Sequence, residues 1–188
     1  MTQRQSIVSV YTEELPGLGT FELVRLDPAA HLDTIYAWVS ARRAEFWGMT
    51  ENSRDEVREI YEFLDGLETH HAYLMELDGT PIGIFQTYEP EHDPIGEYYP
   101  VRAGDFGIHL FLAPAEKEIQ DFTGTVSAAL LRFVFQVPAR QRIVVEPDAR
   151  NERALRRWKR LGFVFDAQVT LPHKTAQLAF LERSSAGR

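Results

Sequence analysis

The segment Ile143 to Phe163, IVVEPDARNERALRRWKRLGF, constrains the fold more than any other. A short apolar run stops at Glu146, Pro147 and Asp148. Asn151 then opens a stretch in which Ala154, Trp158 and Leu161 recur at i, i+4 and i+7, the spacing of one helix face. This is a buried strand feeding an amphipathic helix. The side-chain oxygen of Asn151 suits an N-cap because it can accept an orphan amide hydrogen of the first turn, and Gly162 suits the left-handed stop. The segment Asp105 to Leu112, DFGIHLFL, reads as a second strand. Strict alternation sends Phe106, Ile108, Leu110 and Leu112 to one face and Asp105, Gly107, His109 and Phe111 to the other, so His109 is expected to point away from the core.

The rest of the chain alternates between the two periods, without internal repeats or low-complexity tracts. Residues 1–19 read as an arm or hairpin, Thr20 to Leu26 as a strand, and Asp27 to Ala44 and Arg54 to Leu67 as helices. His71 to Leu77 and Ile82 to Tyr88 flank the turn signal Asp78, Gly79, Thr80, Pro81 and should pair as a hairpin. Glu89 to Gly104, rich in proline, glycine and acid, is expected to be a surface loop, and Thr123 to Val137 a helix. Val164 to Pro172 and Thr175 to Leu181 read as a closing hairpin around His173 and Lys174. The order β α α β β β α β α β β predicts an α/β domain with a central sheet of mixed direction over residues 20–183, between an arm at 1–19 and a tail at 184–188.

Composition narrows the chemistry. With 188 residues and 44% hydrophobic content the chain can bury a substantial core, and its length fits one domain. It has no cysteine, which excludes disulfides, thiolate zinc sites and a cysteine nucleophile, and no serine sits in a nucleophile elbow. No metal site is expected. A net charge of -8 is a poor footing for nucleic acid and a mild attraction for cationic small molecules. No leader-like or membrane-spanning run is present, so a soluble, cytoplasmic protein with no membrane partner is expected.

An imidazole suits a general base toward an attacking nitrogen, and His109 is the candidate. Asp148 lies just past the carboxyl end of the following strand, where α/β folds commonly place chemistry. Adjacent parallel strands would bring both to one cleft, with Asp148 orienting the imidazole or touching the substrate nitrogen directly. Both residues also have bland readings, as a solvated strand histidine and a turn aspartate after Pro147.

The order of elements resembles the GNAT superfamily of acyl-CoA-dependent N-acyltransferases. Phe46, Trp47 and Met49, Tyr88 and Pro90, the DFGIH element, Phe122 and Thr123, VVEPD with Arg150 and Asn151, Gly162 and Phe163, and Pro172, Lys174 and Ala176 are similar to its siderophore-building branch, which serves the aerobactin, mycobactin and desferrioxamine pathways. The resemblance implies direct transfer of an acyl group from acetyl-CoA or succinyl-CoA to an N-hydroxylated lysine, ornithine or diamine, with no metal, and association with other siderophore biosynthesis enzymes. It implies His109 and Asp148 as catalytic residues and Phe111, Leu112, Phe122, Thr123, Gly124, Thr125 and Asn151 at the acyl donor. Trp47, Tyr88 and Lys174 would meet the acceptor. Members of the superfamily typically place a glycine-rich turn against the CoA pyrophosphate. Here the corresponding turn, Gln120 to Thr125, has one glycine, but a helix N-terminus still favours an anion. Many members carry a tyrosine where this chain has Trp158, which cannot protonate a departing thiolate and reads as core or pocket wall. The run Arg153, Arg156, Arg157, Lys159, Arg160 reads either as a solvated face or as a contact to CoA phosphates. Two other readings fit the same residues: an aminoglycoside-type N-acetyltransferase and a noncatalytic acyl-CoA-binding protein.

Overall fold

A computed structural model describes residues 9–114 and 121–186. The chain divides into two compact units, Met1–Gln86 with Leu110–Phe122, and Thr87–His109 with Thr123–Arg188.

The first unit holds β1 (Ser9–Leu15), β2 (Gly19–Arg25), α1 (Pro28–Val39), α2 (Arg54–Asp65), β3 (His70–Leu77) and most of β4 (Thr80–Tyr88), with strand order β1-β2-β3-β4. Residues 9–15 form β1, an outer strand paired antiparallel with β2 across the turn before Gly19, a hairpin. The Asp27 carboxylate accepts from the amides of Ala29 and Ala30 at 2.9 and 3.1 Å and starts α1. The helix ends at Val39, earlier than its apolar spacing predicts, and Ser40 turns its hydroxyl onto the Tyr36 carbonyl at 2.6 Å. A 3-10 turn over Arg42–Trp47 follows. A full capping box between Ser53 and Glu56 starts α2. Leu32, Ile35, Val39, Val57, Tyr61, Ile84 and Phe111 form this unit's core, with Tyr36, Trp38, Trp47, Met49 and Leu64 packed at its margin.

The second unit contains most of β5 (Asp105–Leu112), nearly all of α3 (Phe122–Phe135), β6 (Arg142–Val145), α4 (Glu152–Arg160), β7 (Val164–Thr170) and β8 (Thr175–Glu182). The strand order is β5-β6-β8-β7. β5 and β6 are parallel, with α3 as their crossover, while β6–β8 and β7–β8 are antiparallel. This is the expected mixed sheet. The expected surface loop at 89–104 is partly core: Ile95 and Tyr99 are 2% and 9% exposed and pack with Val144, Leu171 and Leu178. Composition misleads there because Pro90 and Pro94 start two short 3-10 turns that direct these apolar side chains inward.

An ion pair fixes the start of the parallel pairing. Arg142 donates twice to Asp105, at 2.7 Å each, with side-chain exposures of 8% and 1%. The two residues are also the first register partners of β5 and β6.

Candidate active site

The register of β5 on β6 pairs Asp105 with Arg142 and Gly107 with Val144. Two residues further along lie His109, on β5, and Glu146, the residue that follows β6, so side chains of the same parity meet on one face. His109 Nε2 bonds Glu146 Oε1, as that alignment requires. The Glu146 side chain is only 7% exposed. Burial alone would raise its pKa, but the His109 charge and hydrogen bond, the Lys174 ammonium and the Tyr88 hydroxyl outweigh that and hold it at about 2. Glu146 is therefore an anion at any physiological pH. An ionised carboxylate can only accept, so Nε2 carries the hydrogen and Nδ1 carries the lone pair of the neutral ring.

Two further side chains converge on the same carboxylate. Tyr88 donates its hydroxyl to Oε2 at 2.9 Å, and the Lys174 ammonium lies 3.6 Å from Oε1. Tyr88 is 2% exposed and its ring lies against that of His109, with 4.9 Å between centroids. Burial and the carboxylates of Glu146 and Asp93 push its phenol well above the ordinary tyrosine range, so it stays a neutral donor. The ring fits because residue 107 is glycine: a Cβ there would run into the Tyr88 ring. Gly107→Ala should therefore cost about 1–3 kcal/mol by overpacking. Equilibrium urea unfolding measures this, and a loss below about 0.5 kcal/mol would mean that the ring can move aside.

The carboxylate beside His109 is Glu146, not Asp148. Asp148 is 6% exposed and spends both oxygens on Arg150, accepting from its backbone amide at 2.9 Å, Nε at 3.0 Å and Nη2 at 2.8 Å. These bonds hold the Asp148 carboxyl below the usual range. A bridge from Asp148 to Ala176 ties the loop to the start of β8. Tyr88 was expected to wall an acceptor cleft but is buried against His109 and Glu146. Lys174, expected at the acceptor, is paired with Glu146 and has 17% side-chain exposure.

Asn151 caps α4 through a 3.1 Å bond from the Ala154 amide, and Gly162 takes φ 88 just beyond the helix, both as the sequence indicates. Trp158 is 4% exposed and packs on Phe163 at 5.0 Å, a core position. Arg153, Arg156, Lys159 and Arg160 are exposed, while Arg157 lies half-buried over the Trp158 ring at 4.8 Å. Burial, with Arg153 and Arg160 nearby, lowers the Arg157 pKa to about 10.

The alternation reading of β5 fails at its end. Phe111 shares parity with His109 but is 8% exposed and belongs to the first unit's core, with its ring 5.5 Å from Trp47 and 6.3 Å from Trp38. Strand β5 is buried on both faces, and a two-sided strand does not advertise its outer face by polarity. Leu112 is half-buried. Trp47 also donates its indole hydrogen to the Tyr61 hydroxyl at 3.4 Å. Phe122, Thr123, Gly124 and Thr125 form the half-buried first turn of α3, and Asp121 before them has φ 52. Gln120 lies outside the described residues. Among the described residues no group of three or more potential ligands could hold a metal ion, and no helix is long and apolar enough to cross a membrane.

The chain has recognisable relatives. It is 26% identical over 164 residues to the N(6)-hydroxylysine O-acetyltransferase of Escherichia coli, covering 84% of this chain and 50% of that protein. It thus spans half the length of that relative. It is 27% identical over 163 residues to the aminoglycoside N(6')-acetyltransferase type 1 of Klebsiella pneumoniae, covering 79% and 77% of the two chains. Its fold is similar to that of an aminoglycoside acetyltransferase solved with coenzyme A, with a TM-score of 0.77, 26% identity, and coverage of 88% of this chain and 96% of that one. Residues 27–171, running from the cap of α1 to the end of the β7 segment and enclosing His109 and Glu146, match the acetyltransferase (GNAT) domain, and the chain belongs to that family.

Proposed function

We propose that this protein transfers an acyl group from acyl-CoA to the nitrogen of an N-hydroxylated lysine-type amine or diamine, giving a hydroxamate of the kind used in siderophores, with His109 as general base. The observation that carries this reading is the charge balance around His109. The Glu146 carboxylate is matched by Lys174 and bonded by Tyr88 and His109, and Asp148 is matched by Arg150. Among the described residues of this cluster no carboxylate is left over to grip an alkylammonium. A hydroxylamine nitrogen is much less basic than an alkylamine and arrives largely neutral, so it needs no such grip. The hydroxylysine specificity in the name of the Escherichia coli relative supports the same acceptor class.

In this mechanism the acceptor nitrogen lone pair adds to the thioester carbonyl and forms the C–N bond. Its proton passes to His109 Nδ1, the nitrogen left with a lone pair by the Nε2 bond to Glu146. The C–S bond then breaks and CoA leaves as a thiolate that solvent protonates. Direct attack suits a chain without cysteine. The first turn of α3, Phe122 to Thr125, offers backbone amides for the CoA pyrophosphate. Phe111, Leu112 and Asn151 remain donor-side candidates, and Trp47 an acceptor-side one.

Release of free thiol from acetyl-CoA and succinyl-CoA tests the proposal, with N6-hydroxylysine, N5-hydroxyornithine, N-hydroxycadaverine, their unhydroxylated parents and kanamycin as acceptors. At neutral pH at least one hydroxylamine should exceed its parent amine by about 10-fold or more in kcat/KM, the factor equivalent to ~1.4 kcal/mol. Preference for kanamycin would establish the aminoglycoside reading. Binding of CoA without turnover across the panel would establish the noncatalytic one.

A further inference from the structure

Glu146 Oε1 is approached by two cations or potential cations at once. His109 Nε2 bonds it and Lys174 Nζ stands 3.6 Å away, while Tyr88 occupies Oε2. A carboxylate with 7% exposure must be compensated by positive charge. With Lys174 in place that charge is present while the imidazole is neutral. Without it, a protonated His109 alone among the described residues could supply the charge, and a protonated ring has no lone pair to offer. Among the described residues, the other charged and titratable groups around the imidazole do not take over the task. Tyr88 on β4 is a neutral phenol, Asp93 acts on Tyr88, and Arg150 is already committed to Asp148.

We propose that Lys174 is a positioning residue that carries the countercharge of Glu146, so that the His109 ring need not supply it and can accept a proton. This rests on the reading of His109 as the base. It assigns Lys174 a role through Glu146 rather than a contact to the acceptor.

The test is the pH dependence of kcat/KM for the wild-type protein and for Lys174→Met, Lys174→Gln and Lys174→Arg, with acetyl-CoA and one hydroxylamine. The ionisation of the acceptor is common to all four and drops out of the comparison. In Lys174→Met and Lys174→Gln the acid limb should move up by about one pH unit, so that the rate at a pH on that limb falls about 10-fold and recovers in alkali. Gln keeps a donor and Met does not, so equal displacement in both identifies charge as the cause. Lys174→Arg should leave the limb in place. Circular dichroism melts identify a variant that is unfolded at the assay temperature, in which case the other neutral variant carries the test. A uniform loss at every pH with the limb unmoved would overturn the proposal and return Lys174 to a contact or packing role. His109→Ala is run alongside. If it retains wild-type turnover, the base assignment fails, and that result is distinguishable from an unmoved limb in the Lys174 variants.

Discussion

His109→Ala will lower kcat by about 10²–10⁴ while the KM for acyl-CoA stays within a few-fold of wild type, because in the proposed mechanism the substitution removes a proton acceptor and not a donor-binding group. The loss should appear at saturating acceptor and persist across the pH range. No other side chain bonded to Glu146 can take over. Tyr88 is a buried phenol held well above its ordinary pKa, and Lys174 is an ammonium with no lone pair to give. Steady-state thiol release at saturating acetyl-CoA and acceptor checks this prediction. Wild-type turnover would remove His109 from the mechanism, and Glu146 with it, since nothing else in the cluster links that carboxylate to a reacting nitrogen.

The second large effect is on stability, at the opposite end of β5. Asp105→Ala will destabilise the protein by about 3–5 kcal/mol, because it leaves Arg142 buried without its carboxylate. Arg142 cannot turn to water easily: its guanidinium lies 4.3 Å over the Phe180 ring and its side chain is 8% exposed. Asp105 also accepts from the Tyr99 hydroxyl at 3.1 Å and the Arg102 amide at 2.9 Å, so the substitution orphans three sets of donors. Urea unfolding followed by tryptophan fluorescence measures the difference through the midpoint. A change below about 1 kcal/mol would mean that the pair contributes nothing net and that Arg142 finds another partner. The same pair has a bearing on the site, because it pins the register that brings position 109 alongside position 146. A one-residue slip would turn Glu146 to the other face.

Much of this was legible in the sequence. The hydrophobic periods locate α1 to α4, and the Asn151 cap, the Gly162 stop and the Trp158 core position follow from local chemistry alone. His109 was visible as a polar residue inside an apolar strand. Its carboxylate partner is not visible there: turn chemistry favours Asp148, which follows a proline at a strand end, whereas pairing depends on register between strands 37 residues apart, as Asp105 and Arg142 are. The signal was present: Gly107 sits two residues before His109, and Val144 two before Glu146. Reading it requires knowing which residues of β5 and β6 face each other, and single-strand periodicity does not contain that information. The burial of Tyr88 escaped for a related reason. It depends on the missing Cβ of Gly107 on a different strand, a complementarity that appears only once the sheet is assembled. The partial burial of residues 89–104 was masked by a composition that elsewhere marks exposed turns.

The placement of β8 between β6 and β7 has a consequence for how the protein is made. β6 lies between β5 and β8, and β8 follows it by some thirty residues, so β6 has no partner on one edge until the chain has been extended to Glu182. Arg183 then closes over carbonyls of Phe135, Val137 and Arg140, fastening the end of α3 from more than forty residues away. Lys174 arrives on the same late segment. A nascent chain on the ribosome can therefore hold His109 and Glu146 and still lack both the strand that secures them and the ammonium that balances them. The pairing that secures this pair and the charge that balances it therefore come from one and the same segment of chain and arrive together.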